Sequence, residues 1–187
     1  MRTSVSLKYF TISLTLVTVI VAAGLTWTTQ RIDMHRNWAS MLRETQHFRT
    51  HIESASNLLP MGVEADSPHQ RWFSAELDYS TWSLNELRKL DRDHEVPLMI
   101  IDDMILTLRD RLPQLSTLNE TERISMAKMM YTIGEDVVTA YFNILNYTSV
   151  DDLTGPPFWY SGPSPPDEGM LDLVAEMSKN VTKTLAP

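Results

Sequence analysis

Cysteine is absent from this chain of 187 residues. Its absence excludes a disulfide-stapled domain, a Cys-ligated zinc site, an iron–sulfur cluster and thiol catalysis. Glycine is scarce as well, with six residues and no Gly-x-Gly, so no glycine-rich phosphate-binding loop is present. Basic residues are outnumbered, 16 Lys+Arg against 24 Asp+Glu, giving a net charge of −8. Phosphate binding needs a positive field, so the sequence predicts no nucleic-acid partner.

Signals for β-strands and for familiar catalytic sites are also missing. No Asn-Gly or Asp-Gly turn occurs, and no segment alternates polar and apolar residues for long. The nucleophile motif G-x-S-x-G and the zinc motif H-E-x-x-H are both lacking. We therefore predict an all-α protein that is not an enzyme and carries no cofactor.

One long apolar run is present near the N-terminus. No charged residue lies between Tyr9 and Trp27, a stretch of about 28 Å as a helix, against a hydrocarbon core of about 30 Å. Arg2 and Lys8 precede the run and favour an N-terminus inside the cell. We predict a cytoplasmic stub and membrane anchor in residues 1–29, the alternative being a signal peptide cleaved after Ala23.

Both alternatives place the bulk of the chain, residues 30–187, outside the cytoplasm. An extracytoplasmic domain without cysteine is more typical of a bacterial periplasm than of eukaryotic secretion. The predicted location is therefore the bacterial inner membrane, crossed once by residues 9–29, with the bulk of the chain in the periplasm.

A heptad pattern follows the apolar run, from Arg31 to Leu59, before Pro60 and Gly62 end the helix. Seven of its eight a and d positions are apolar, which is typical of a helix that packs along one seam. A seam of this kind serves a homodimer or a membrane-protein partner equally well. The predicted partner-binding residues on it are Met34, Trp38, Met41, Phe48 and Ile52.

Three further helices are indicated by start signals and apolar stripes. Ser67 followed by Pro68 predicts one start, Pro97 a second, and a Thr117–Glu120 capping box a third. The connections are short, so residues 30–150 are predicted to form an up-down four-helix bundle.

The segment 151–167 differs in kind, because it holds five of the ten prolines. It is predicted to be a linker whose aromatic residues Phe158, Trp159 and Tyr160 either dock on a partner or fold back on the bundle. Asp167 is predicted to cap a C-terminal amphipathic helix in residues 168–187. The predicted partner-binding residues of that helix are Val174, Met177 and Val181.

The outline of residues 9–147, a membrane helix followed by one long helix and three more, resembles the extracytoplasmic four-helix sensor domain of bacterial chemoreceptors and sensor kinases. The resemblance implies a ligand-sensing bundle that reports to a separate transducer. Those receptors return through a second membrane helix, whereas this chain turns proline-rich after Leu145. The main prediction is therefore a non-enzymatic accessory or adaptor subunit, with the sensor as the alternative.

A metal-handling role is the remaining alternative. Glu44, His47 and His51 are spaced by three and four residues, which places them on one face of a helix. No second E-x-x-H of the kind found in di-iron bundles lies in a helix interior, so solvent-facing side chains are the preferred interpretation. Met126, Met129 and Met130 offer soft copper ligands, but methionine at core spacing is more often a gap filler. The prediction is that no metal is bound.

Overall fold

The computed structural model describes residues 2–142 and 166–185, and every regular element in these ranges is helical. A 3₁₀ turn at Leu59–Met61 follows the first helix. The helices are α1 (Arg2–Leu58), α2 (Pro68–Leu90), α3 (Glu95–Asp110), the one-turn α4 (Leu112–Leu115), α5 (Glu120–Phe142) and α6 (Glu168–Thr184). The prediction of an all-α chain is confirmed.

Helix α1 has 57 residues and is therefore about 85 Å long. Its N-terminal part is long and apolar enough to cross a membrane, as predicted. The large apolar side chains between Tyr9 and Leu25 are more than half exposed, so the rest of the described chain does not cover them. The Thr15 and Thr18 hydroxyls donate to the carbonyls four residues earlier, which satisfies these polar groups within the helix.

Two predicted helix boundaries are confirmed by their geometry. After α1, Gly62 has φ +91°, a conformation that a residue with a Cβ rarely adopts, and the chain turns there. Ser67 caps α2, where its hydroxyl accepts a 3.1 Å hydrogen bond from the Gln70 amide, and Pro68 occupies the first helical position.

The predicted capping box at the start of α5 was wrong by two residues. Asn119 is the capping residue: its Oδ1 accepts from the Glu122 amide at 3.0 Å, and Glu122 Oε2 accepts from the Asn119 amide at 2.9 Å. Thr117 instead donates its hydroxyl to the Gln114 carbonyl after α4. Both pairs have the required spacing of three, and only the position of the chain reversal decides which of them caps the helix.

The long helices form a closed ring. Helix α1 packs against α2 and α5, α2 also packs against α3, and α6 packs against both α3 and α5. Helix α6 lies between α3 and α5 and closes the ring as a fifth helix. The bundle had been predicted to consist of four helices within residues 30–150. The Asp167 amide donates to the Ala140 carbonyl at 2.9 Å, which joins the start of α6 to the end of α5.

Helices α1 and α5 approach each other closely at Gly134. A Cβ built on Gly134 would lie 2.5 Å from Ile52 Cγ2 and 3.7 Å from the Arg49 Cα. Arg49 Nε also donates to Glu135 Oε1 at 2.6 Å across the same interface. Glycine at position 134 therefore allows the two backbones to approach closely around the buried Ile52.

Candidate functional site

The heptad seam of α1 divides into two parts. Phe48 and Ile52 are fully buried in the core of the chain itself, where α2 and α5 cover them. Trp38 and Met41 are partly buried against the edge of that core, and Met34 is half-buried. The expectation that Phe48 and Ile52 face a partner is therefore corrected, because an apolar stripe of this period packs equally well against neighbouring helices of its own chain.

The predicted partner-binding residues of α6 also pack inside the chain itself. Val174 and Val181 are fully buried and Met177 is partly buried, all packed against the common core. The stripe on α6 thus closes the bundle, which corrects its assignment to a partner. Phe158, Trp159 and Tyr160 lie outside the described residues.

The three metal candidates on α1 do not converge. Glu44 is buried, and its Oε1 accepts from Arg43 Nε at 3.0 Å, while its Oε2 lies 3.6 Å from His47 Nδ1. His51 turns away to Glu76 of α2, with its Nδ1 2.7 Å from Glu76 Oε2. Within residues 2–142 and 166–185, no group of three or more His, Asp or Glu side chains is arranged to hold a metal ion.

The methionines considered for copper serve the core. Met126 and Met130 are buried, and Met129 packs against the same cluster. Thioether side chains fill irregular gaps between helices, which accounts for their position here.

A buried polar cluster lies where α2, α3 and α5 meet, and the sequence analysis did not identify it. Tyr141 donates its hydroxyl to Asp91 Oδ2 at 2.5 Å, and His94 Nδ1 lies 2.9 Å from the same oxygen. Tyr141 is fully buried, and Asp91 and His94 are nearly so. Burial, together with the hydrogen bond and negative charge of Asp91, raises the pKa of Tyr141 far above its ordinary value, so the phenol remains a donor.

An exposed aromatic face on α2 was also missed. Trp72, Tyr79 and Trp82 are 61%, 56% and 54% exposed, although α2 turns its other side to the core. With the exposed Ala75 they are spaced by three, four and three residues, a second heptad stripe on the outside of the helix. This spacing was readable in the sequence, but it was hidden by the stronger stripe of Phe73, Leu77 and Leu84. We call these four residues the α2 aromatic face.

The aromatic face is continuous with one edge of α1. The His51 ring stacks on Tyr79, with ring centroids 5.0 Å apart and planes 28° apart. The hydrogen bond from His51 to Glu76 holds this imidazole against α2. Large aromatic side chains left in solvent on a folded domain are typical of protein–protein interaction sites.

A concave surface of about 370 Å³ lies at the α2–α3 corner, lined by Asn85, Arg88, Lys89, Arg92 and Glu95. Two of its three cations are paired with carboxylates of the protein. Arg88 lies 3.1 Å from Glu95 and 3.8 Å from Asp102, and Lys89 lies 2.6 Å from Glu86. Because Arg88 and Lys89 are already engaged, the corner is a weaker candidate for binding an anionic ligand, and we favour the aromatic face as the candidate functional surface.

Comparisons with known proteins identified no relative. No protein-family model, no curated protein and no solved structure matches this chain.

Proposed function

We propose that this protein is a non-enzymatic accessory or adaptor subunit, anchored in the bacterial inner membrane by α1 with its helical bundle in the periplasm. It binds a membrane-protein partner or a second copy of itself through helical packing. The metal-handling alternative is set aside, because His51 pairs with Glu76 of α2 and does not join Glu44 and His47.

The continuity of α1 is the observation that carries the proposal. A single helix runs from the membrane-capable segment into the bundle core, so the bundle is attached to its anchor without a flexible joint. The Arg31 guanidinium carbon lies 5.1 Å from the Trp27 ring centroid. A Trp–Arg pair of this kind suits the outer headgroup layer, where an aromatic ring and a cation both find favourable surroundings.

The antiparallel pairing of α1 and α2 sets the height of the bundle. Because His51 contacts Glu76, the end of α2 at Leu90 lies level with Asn37 of α1. Asn37 is ten residues beyond Trp27, which corresponds to about 15 Å. The headgroup layer is roughly 5–8 Å thick. The bundle therefore stands just above the lipid, within reach of proteins embedded in or resting on the same membrane.

Native mass spectrometry of the full chain, extracted gently from its own membranes, tests this proposal. We expect an unprocessed chain of 21.4 kDa inside a complex of defined composition. A monomer beginning near Gly24 would contradict both the anchor and the adaptor role. An unprocessed monomer that recovers no partner and no second copy would contradict the adaptor role alone.

A further inference from the structure

We propose that the α2 aromatic face is a self-association surface, on which two copies of this chain in one membrane pair their α2 helices in parallel and in register. The inference rests on the proposed membrane anchor and names the partner as a second copy.

The spacing of the face fits a helix–helix seam. Trp72 and Tyr79 occupy one heptad position, and Ala75 and Trp82 the other, so the four side chains follow one line along α2. Glu86 and Lys89 occupy the next two positions and are ion-paired with each other at 2.6 Å. The apolar seam therefore spans two heptads and ends toward the membrane in a charged pair.

The anchor selects the parallel orientation. Both copies enter the membrane through the N-terminal part of α1, so the twofold axis of a dimer must run along the membrane normal. Helix α2 runs antiparallel to α1 and hence also along this normal. Two α2 helices related by that axis are parallel, and each seam residue faces its own counterpart.

Charge flanking the seam favours the same pairing. In a parallel heptad pair, a residue at position g approaches the residue five places later, at position e, of the other helix. Here Arg71 stands at g and Glu76 at e, so each Arg71 approaches Glu76 of the second copy. Arg71 is exposed and has no ion pair within the described part of the chain, and the Glu76 side chain is 27% exposed. The dimer thus gains two opposite-charge contacts.

The exposed area is of the right order for an interface assisted by anchoring. The three aromatic side chains expose roughly 400 Å² on each copy, so their complete burial in a dimer would remove at most about 800 Å². A stable interface between free proteins buries about 1,200–2,000 Å² in total. Two chains confined to one membrane meet at a high effective concentration, which compensates for the smaller area.

The membrane part of α1 presents a compatible surface on the same side. Thr11, Thr15, Thr18, Ala22, Thr26 and Thr29 are spaced by four or three residues and form one stripe of small side chains. Thr29 and His47 are 18 residues apart, which is about five full helical turns. The stripe therefore lies on the same side of α1 as His47, and close to the side that carries His51. Small residues allow membrane helices to approach closely. This stripe supports the pairing made by α2 and does not carry it.

Disulfide cross-linking in native membranes tests the pairing, because the chain has no cysteine of its own. Ala75→Cys places a thiol on the seam, and Ser125→Cys places one on the exposed surface of α5 as the matched control. After mild oxidation we expect Ala75→Cys to migrate at twice the 21.4 kDa monomer mass, with at least about tenfold less dimer for Ser125→Cys, the ratio expected for a pairing free energy near 1.4 kcal/mol.

Two further substitutions distinguish specific pairing of the α2 helices from cross-linking caused by random collisions in the membrane. In the Ala75→Cys background, Tyr79→Ala removes an aromatic contact and Arg71→Glu turns the flanking attraction into repulsion. Each should lower the dimer yield about tenfold. Both side chains are exposed, and within the chain Tyr79→Ala loses only the stacking on His51, so each variant should remain folded at the assay temperature, which thermal unfolding followed by circular dichroism checks.

Several results would overturn the self-association. Equal dimer yields from Ala75→Cys and Ser125→Cys would do so, as would yields unaffected by both Tyr79→Ala and Arg71→Glu. An Ala75→Cys adduct with a protein of a different mass would reject the second copy as partner while supporting the adaptor role. Absence of every adduct, together with an unprocessed monomer in native mass spectrometry, would reject both proposals.

Discussion

The hydroxyl group of Tyr141 belongs to a hydrogen-bonded cluster that links three helices. It projects from α5 to Asp91, the capping residue that directly follows α2, and Asp91 in turn contacts His94, which directly precedes α3. The Asp91 amide also donates to the Leu87 carbonyl at 2.8 Å, which completes the last turn of α2. A buried carboxylate needs all of its partners, because each lost hydrogen bond leaves it desolvated and uncompensated.

Tyr141→Phe is expected to destabilise the bundle by about 1–3 kcal/mol, the cost of leaving a buried polar group without its donor. The measurement is the free energy of unfolding of the full chain in detergent micelles, followed by circular dichroism in urea. Tyr131→Phe on the exposed face of the same helix is the control and should change little. Equal effects of the two substitutions would show that the buried hydroxyl is not needed for stability.

Asp102 predicts a pH dependence. Its side chain is 10% exposed, and its Oδ1 has no hydrogen-bond partner within the described residues. Burial raises its pKa, although Thr81 and Arg88 partly offset the effect. A carboxyl group whose pKa is raised by folding favours the folded state when it is protonated. Its contribution to stability is therefore lost as the pH rises from the ordinary Asp pKa, about 4, through the raised value.

Asp102→Asn removes this titration. We expect the melting temperature of the variant, relative to the unmodified protein, to increase as the pH rises from about 4 toward neutrality. Thermal unfolding at a series of pH values measures the difference, and Asp103→Asn at the exposed neighbouring position is the control. A difference that does not change with pH would show that the Asp102 charge has no net cost in the fold.

At the scale of the helices, the packing of α1 on α5 depends on one missing side chain. Alanine is normally better than glycine inside a helix by about 1 kcal/mol. At position 134, however, a Cβ would lie 2.5 Å from Ile52 Cγ2, and a β-branched side chain has little freedom to move away.

Gly134→Ala is therefore expected to lower the melting temperature, since overpacking of a core costs about 1–3 kcal/mol and outweighs the helix preference. Gly169→Ala in the first turn of α6 is the matched control. The nearest atom to its added Cβ is Asp167 Oδ1 at 3.4 Å, so it should leave stability equal or higher. A Gly134→Ala variant as stable as the control would mean that α1 and α5 separate without cost.

At the scale of the whole molecule, α6 decides which apolar faces remain for a partner. Its stripe fills the gap between α3 and α5 and so removes Val174 and Val181 from any external surface. In the same way, α2 and α5 enclose Phe48 and Ile52 of α1. The aromatic face of α2 points outward from the closed ring, beside the edge of α1. The ring thus leaves this face available for contact with another protein.

Much of the fold was predictable from local patterns. The apolar run of α1, its end near Pro60 and Gly62, and the starts of α2 and α6 depend on residues close in sequence. The α6 start, for example, is set by Asp167, whose Oδ1 accepts from the Met170 amide at 3.0 Å. The start of α5 was predicted two residues too early, because two overlapping capping boxes satisfied the same local rule. The buried polar cluster of Asp91, His94 and Tyr141 was not predictable, since Tyr141 lies 50 residues from Asp91 in the sequence.

The sequence by itself determined that the chain is helical, that its N-terminal segment is long and apolar enough to cross a membrane, and where α1 ends and α2 and α6 begin. These properties follow from hydropathy, periodicity and capping, which act within a few turns of one helix. Only the tertiary structure decided which apolar stripes become core and which remain exposed. A stripe of period 3.5 has the same sequence whether its partner is its own chain or another one, so the distinction depends on how the helices are arranged in space.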